Sequence, residues 1–164
     1  MKLLDQRQIK QKIKRLAIEI LEQNFGEKEI ILAGINNNGL GFAKMLNRHL
    51  VKMTENTITL TQIKLSPANP LESEVEIGLP INDLKNKVII IVDDVANTGR
   101  TIFYAIKPLL DILPKKIQVA VLIDREHKSF PIKVDYVGLS LFTTLKDDID
   151  VQIKGRGTKA VYLK

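Results

Sequence analysis

Cysteine is absent from the chain. That excludes disulfides and thiol catalysis, and it fits a reducing, cytoplasmic setting. Histidine is scarce: His49 and His127 are the two in the chain, and they form no evident catalytic arrangement. No apolar run approaches the roughly 20 residues that cross a bilayer. The amino-terminal stretch MKLLDQRQIKQKIKRLAIEI is broken by charge throughout, so neither a signal peptide nor a membrane partner is expected. Acidic residues are outnumbered, 19 Asp and Glu against 25 Lys and Arg, for a net charge of +6. Such an excess suits a phosphate-rich ligand and would also suit RNA; charge alone does not choose between them.

What remains is an ordinary globular composition, 45% hydrophobic and 27% charged over 164 residues. It suits one domain spanning residues 1–164 with a sizeable core.

The chain is organised around VIIIVDDVANTGRT, residues 88–101. Five apolar residues, Val88 to Val92, suit a strand buried on both faces. Asp93 and Asp94 follow, then Val95 and a small polar loop of Ala96, Asn97, Thr98 and Gly99, then Arg100 and Thr101. From Ile102 the apolar spacing turns helical, with Ile102, Ala105, Ile106, Leu109 and Leu110 on one face and Pro108 as an interruption. A loop between strand and helix presents backbone N–H groups to an anion, and Gly99 lets it close tightly. Thr98 and Thr101 can add hydroxyl donors. Two carboxylates repel a phosphate. They make sense when they meet another part of the same ligand, such as ribose hydroxyls, or a Mg²⁺ ion. The implied ligand is a sugar phosphate with free vicinal hydroxyls.

Elsewhere the pattern alternates strands and helices. Asp5 with Gln8 predicts a capping box, opening a helix with Ile9, Ile13, Leu16, Ala17, Ile20 and Leu21 on one side and ending at Gly26. Residues 29–35 read as a buried strand, followed by a loop of Asn36, Asn37, Asn38 and Gly39 and a helix over about residues 40–51. Residues 57–65 alternate as a strand, and 66–83, with three prolines, read as a long excursion. Strands are expected at 117–123 and 134–138, and a terminal hairpin at 149–153 and 160–163. This predicts an α/β fold with a mainly parallel sheet, whose ligand sits at the carboxyl ends of the strands.

Residues 88–101 resemble the phosphoribosyl-diphosphate (PRPP) signature of type I phosphoribosyltransferases, in which a hydrophobic strand runs into two acidic residues and a loop ending Thr-Gly. AVLIDREHKSFPIKVDYVG, residues 120–138, and LLDQRQIKQKIKRLAIEILEQN near the amino terminus resemble the bifunctional pyrimidine operon attenuator and uracil phosphoribosyltransferase family. The resemblance covers most of the chain. It implies a central five-stranded parallel sheet flanked by helices, a small hood, homodimers or higher oligomers, and conversion of uracil and PRPP to UMP with Mg²⁺. It also implies binding of pyrimidine-operon RNA.

By that resemblance Asp93 and Asp94 are the catalytic pair. They bind the ribose hydroxyls and provide the metal ligands, while Val95, Ala96, Asn97, Thr98, Gly99, Arg100 and Thr101 wrap the 5′-phosphate. Asn36, Asn37, Asn38 and Gly39 become the pyrophosphate loop, and Val137, Gly138, Leu139 and Ser140 the base pocket. Purine-type members carry an acidic residue where Asn97 stands, and Asn97 cannot act as a base, which points to a pyrimidine or to no turnover at all.

The chain departs from the family at several positions. Asn37-Asn38 replaces Thr-Arg in the first loop, KLSPAN over residues 64–69 replaces an acidic, Arg-containing stretch, and Leu139 and Phe142 stand near a family Lys and Pro. Ile18 and Gln23 occupy basic positions linked to RNA binding, while His127, Lys128 and Lys133 keep part of that surface. A regulator that senses PRPP or UMP with little turnover is the alternative to an enzyme.

Overall fold

The computed structural model describes residues 1–143 and 146–164. A short strand, β1 (Lys2–Leu4), leads into helix α1 (Gln6–Gln23). The Asp5 side chain accepts from the Gln8 N–H while the Gln8 side chain accepts from the Asp5 N–H, completing the capping box read from sequence. Strand β2 (Glu29–Ile35) runs without a connecting loop into helix α2 (Asn36–Met53). Strand β3 (Thr57–Lys64) leads into the excursion read over residues 66–83, which is interrupted by a two-residue strand β4 (Glu76–Ile77) paired with β3 and by a 3-10 helix at Ile81–Leu84. Strand β5 (Val88–Ala96) precedes helix α3 (Arg100–Ala105), and β6 (Lys116–Arg125), β7 (Tyr136–Leu141), β8 (Ile149–Gln152) and β9 (Ala160–Leu163) complete the chain.

The main sheet has the order β4-β3-β2-β5-β6-β7. Five strands are parallel, with β5 at the centre and the two-residue β4 added antiparallel at the edge of β3. Alternation along the strands divides the core into two layers. Ile30, Leu32, Val88, Ile90 and Val92 pack with α1 and α2 on one face; Ile31, Ala33, Ile89 and Ile91 pack with Ile102, Ala105 and Leu109 on the other. That is why Val88 to Val92 reads as unbroken hydrophobe. A second sheet, ordered β1-β9-β8, is antiparallel and corresponds to the small hood.

Four expectations are corrected. β1 gave no strand signal; its three residues are held as a strand by β9. The helix expected from Ile102 is a six-residue α3 followed by a 3-10 helix at Lys107–Asp111, because Pro108 cannot continue the α-helical hydrogen bonds. Leu110 consequently leaves the buried face and is 74% exposed. The strand at 134–138 lies instead at Tyr136–Leu141.

Candidate functional site

The strand order reverses between β2 and β5. From β2 the chain steps outward to β3, then returns to the other side of β2 as β5. Parallel sheets open a crevice at such a point, beyond the carboxyl ends of the two strands. The residues following β2 are Asn36 to Asn38, and those ending β5 are Asp93 to Ala96. A cavity of about 400 Å³ lies there, lined by Asn36, Asn37 and Asn38 from one side and by Asp93, Asp94, Val95, Asn97 and Thr101 from the other. Pro67 and Ile149 complete its wall.

Asp93 and Asp94 belong to β5 itself, since the strand runs on to Ala96. They are 8% and 9% exposed. The Asp94 N–H donates to Asp93 Oδ1 at 2.9 Å, and the Val95 N–H to Asp94 Oδ1 at 2.9 Å. Burial, then the neighbouring Asp94 charge, push the Asp93 carboxyl well above the usual carboxylate range. Burial also raises Asp94, with the Lys154 charge pulling the other way. Neither carboxylate forms an ion pair among the described residues. Two buried acids with no ion pair, and only the Lys154 charge near one of them, are costly to the protein alone. They are suited to hydroxyl donors or a divalent cation.

Downstream, Gly99 has φ of 86° and caps α3. An added Cβ would face Ile132 at 3.3 Å and Lys128 at 3.4 Å, so both the backbone angle and the neighbours hold this position to glycine. The Thr98 carbonyl accepts from the N–H groups of Ser129 and Phe130 at 2.9 and 3.2 Å, which ties the loop to the segment after β6. Arg100 donates to the Pro67 carbonyl at 2.8 Å. A second cavity, about 510 Å³, is enclosed by Val95 to Ile102 below and by Pro67 and Ala68 above. Arg125 reaches Asn97 Oδ1 at 3.3 Å and Thr143 Oγ1 at 2.7 Å. Lys128 pairs with Asp124 at 2.7 Å and also donates to the Arg125 carbonyl.

The supposed loop at Asn36 to Gly39 is the first turn of α2. Asn36 has φ of 50°, a left-handed angle that asparagine tolerates. It therefore bends the chain directly from strand to helix, which is why no separate loop is needed. Gly39 does not line the cavity. A Cβ there would lie 2.4 Å from the Val92 carbonyl oxygen, so Gly39 is the point where α2 presses on β5.

The expected base segment is also redistributed. Val137 and Gly138 lie within β7, where Arg15 donates to their carbonyls at 2.7 and 3.1 Å. A Cβ on Gly138 would meet the Leu122 carbonyl oxygen at 2.4 Å, and Leu139 packs on the core. Those three positions hold the strand in place and line none of the cavities described. Ser140, exposed and paired with Asp124 in register, is the one that stands at the carboxyl end of the sheet. Sequence reasoning missed Pro67, Ile149 and Lys154 as neighbours of the acidic pair. No periodicity or motif marks them; only the closure of the excursion and the hairpin onto the sheet brings them there.

The family model for the phosphoribosyl transferase domain matches residues 1–156. The chain belongs to the phosphoribosyltransferase family. The Bifunctional protein PyrR of Clostridium acetobutylicum is 38% identical over 164 residues, covering 94% of this chain and 90% of that protein. The PyrR of Bacillus pumilus is 35% identical over 163 residues, covering 92% and 89%. Among solved structures, a hypoxanthine-guanine phosphoribosyltransferase from Bacillus anthracis superposes with a TM-score of 0.72 at 26% identity, covering 87% of this chain and 84% of that one. A Trypanosoma cruzi hypoxanthine phosphoribosyltransferase in complex with the product IMP shares the fold, with a TM-score of 0.72 at 22% identity over 85% and 79% of the chains. The resemblance of residues 88–101 to phosphoribosyltransferases, and of residues 120–138 and the amino-terminal stretch to the attenuator and uracil phosphoribosyltransferase family, thus extends over most of the chain. Among the described residues, no helix is long and apolar enough to cross a membrane.

Proposed function

We propose that the chain transfers the phosphoribosyl group of PRPP to uracil, giving UMP and pyrophosphate. The observation that carries this reading is the shared cavity in which Asp93 and Asp94 face the first turn of α2 while Asn97 to Thr101 continue into the adjoining space. Asp93 and Asp94 would accept from the ribose hydroxyls. The backbone of Asn97 to Thr101, with the Thr98 and Thr101 hydroxyls, would hold the 5′-phosphate. The N–H groups of the first turn of α2, an 18-residue helix, would face the pyrophosphate, where the helix dipole favours an anion. Uracil N1 forms a bond to C1′ and gives up its proton to solvent water, as the bond from C1′ to pyrophosphate breaks and its electron pair departs with the pyrophosphate. Such a step depends on positioning and charge stabilisation rather than on a covalent nucleophile.

The two unpaired carboxylates fit a divalent cation. No group of three or more metal-binding side chains occurs among the described residues. A Mg²⁺ ion would therefore be held by Asp93 or Asp94 together with substrate oxygens and water, as this ion commonly is. When bound it supplies positive charge to the departing pyrophosphate. Asn97 cannot take a proton as the acidic residue of purine-type members can, which favours a pyrimidine or no turnover at all.

One observation favours a second reading. Asn36, Asn37 and Asn38 put no positive charge in the turn that would face pyrophosphate. A protein that binds PRPP or UMP as a sensor, with or without RNA, and turns over little would tolerate that neutral turn. The test is pyrophosphate release from PRPP across a panel of bases. Uracil-dependent release supports the enzyme; binding of PRPP and UMP without release from any base supports the sensor.

A further inference from the structure

The pyrophosphate of PRPP is a polyanion, and the first turn of α2 offers it only neutral groups. A third cavity, about 680 Å³, adjoins this turn and shares Asn36 and Asn37 with the cavity of the acidic pair. Its other walls come from the end of β3 and the excursion, with Gln62, Lys64 and Ser66 on one part and the carboxylates of Glu74 and Glu76 on another. Lys64 is the single cationic residue in that lining. A ligand with its ribose at Asp93 and Asp94 and its leaving group across Asn36–Asn37 would enter this space.

Two sets of hydrogen bonds hold the chain on either side of Lys64 against the turn. Side chains two apart on a strand share a face, and Gln62, two residues before Lys64, donates to Asn37 Oδ1 at 3.3 Å. On the other side, Leu65 is bound at both backbone groups by the Asn36 side chain, at 2.9 and 3.1 Å. Lys64 thus stands between two anchors to the very residues that would face pyrophosphate. It forms no ion pair among the described residues, although Glu76 lies opposite in register. Glu74 and Glu76 line the same cavity and are exposed, as Lys64 is, so solvent and salt screen all three charges alike and the contact depends on the Lys64 ammonium reaching the anion directly.

We propose that Lys64 is the cation that binds the pyrophosphate group of PRPP, reaching it from β3 across the neutral Asn36–Asn37 turn. This rests on the phosphoribosyl-transfer reading and goes beyond it in assigning the leaving-group contact to a residue of another element.

The test compares PRPP, pyrophosphate and UMP binding by calorimetry, with Mg²⁺, in the wild type, Lys64→Gln and Lys64→Arg. UMP carries the ribose and 5′-phosphate but no pyrophosphate. Lys64→Gln is expected to weaken PRPP and pyrophosphate binding by about 10- to 100-fold, the range of one charge-assisted contact. UMP affinity should stay within about twofold. Lys64→Arg, which keeps the charge, should restore most of the loss. Unchanged PRPP affinity in Lys64→Gln, or an equal fall for UMP, overturns the assignment while leaving the function in place. A wild type that binds neither PRPP nor UMP overturns both.

Discussion

The side-chain amide of Asn36 pairs with both backbone groups of Leu65, donating to its carbonyl at 2.9 Å and accepting from its N–H at 3.1 Å. One residue thereby joins the start of α2, at the switch point of the sheet, to the first step of the excursion beyond β3. Asn36 holds a left-handed backbone angle while doing so. Both properties are testable together. Asn36→Ala loses the pair and strains the backbone; Asn36→Gly loses the pair alone. Two neutral hydrogen bonds contribute about 1–3 kcal/mol in total. Urea denaturation should place Asn36→Gly about that far below the wild type and Asn36→Ala lower still. Limited proteolysis should cut residues 66–75 faster in both. Equal stability of all three proteins would show that the pair holds nothing.

The acidic pair predicts a pH dependence. Both carboxyls titrate above the usual carboxylate range, burial being the main cause. The folded protein therefore keeps protons that the unfolded chain has released, and its stability falls as pH rises from the ordinary carboxylate range up to the raised values. In the ligand-free protein, Asp93→Asn should raise the thermal midpoint at neutral pH and change it little below the ordinary carboxylate range. The same substitution should weaken PRPP binding. A neutral-pH midpoint that falls in Asp93→Asn would mean the charge is compensated in the free protein.

Gly99→Val is expected to weaken binding of PRPP and UMP. A Cβ is strained at φ of 86° and meets Ile132 at 3.3 Å. Calorimetry showing wild-type affinity for UMP would remove this loop from the 5′-phosphate site.

The acidic-pair strand was legible in sequence because a doubly buried parallel strand has no polar positions, so its apolar run ends where the site begins. The capping box at Asp5 and the left-handed Gly99 were legible for similarly local reasons. Gly39 and Gly138 were not. Each looked like a loop or pocket glycine, yet each is required by a carbonyl 2.4 Å from where its Cβ would be, on an element distant in sequence. Lys64 was visible only as a departure from the family pattern. Its relation to Asn37 depends on the β2–β3 pairing, which places Gln62 beside Gly34 and so beside the turn that follows β2.

RNA binding is expected to be weak and set by charge. Arg15, on the α1 face that could meet RNA, is taken up by Glu19 at 3.1 Å and by the Val137 and Gly138 carbonyls. Lys10 and Lys14 remain exposed, and Lys12 is half-buried. Titration with a pyrimidine-operon leader hairpin and with a scrambled hairpin should give similar affinities that fall steeply with salt. Tight, sequence-selective binding that persists as salt rises would favour the regulator.

The most direct measurement is UMP formation from PRPP and uracil, with hypoxanthine run alongside and with Mg²⁺ present or chelated. The account predicts slow turnover with uracil that requires Mg²⁺, disappears in Asp94→Asn and rises in Asn38→Arg, which adds a cation to the turn of α2. No turnover with any base, from a wild type that binds PRPP or UMP at micromolar affinity, would contradict the enzyme and leave the sensor in its place.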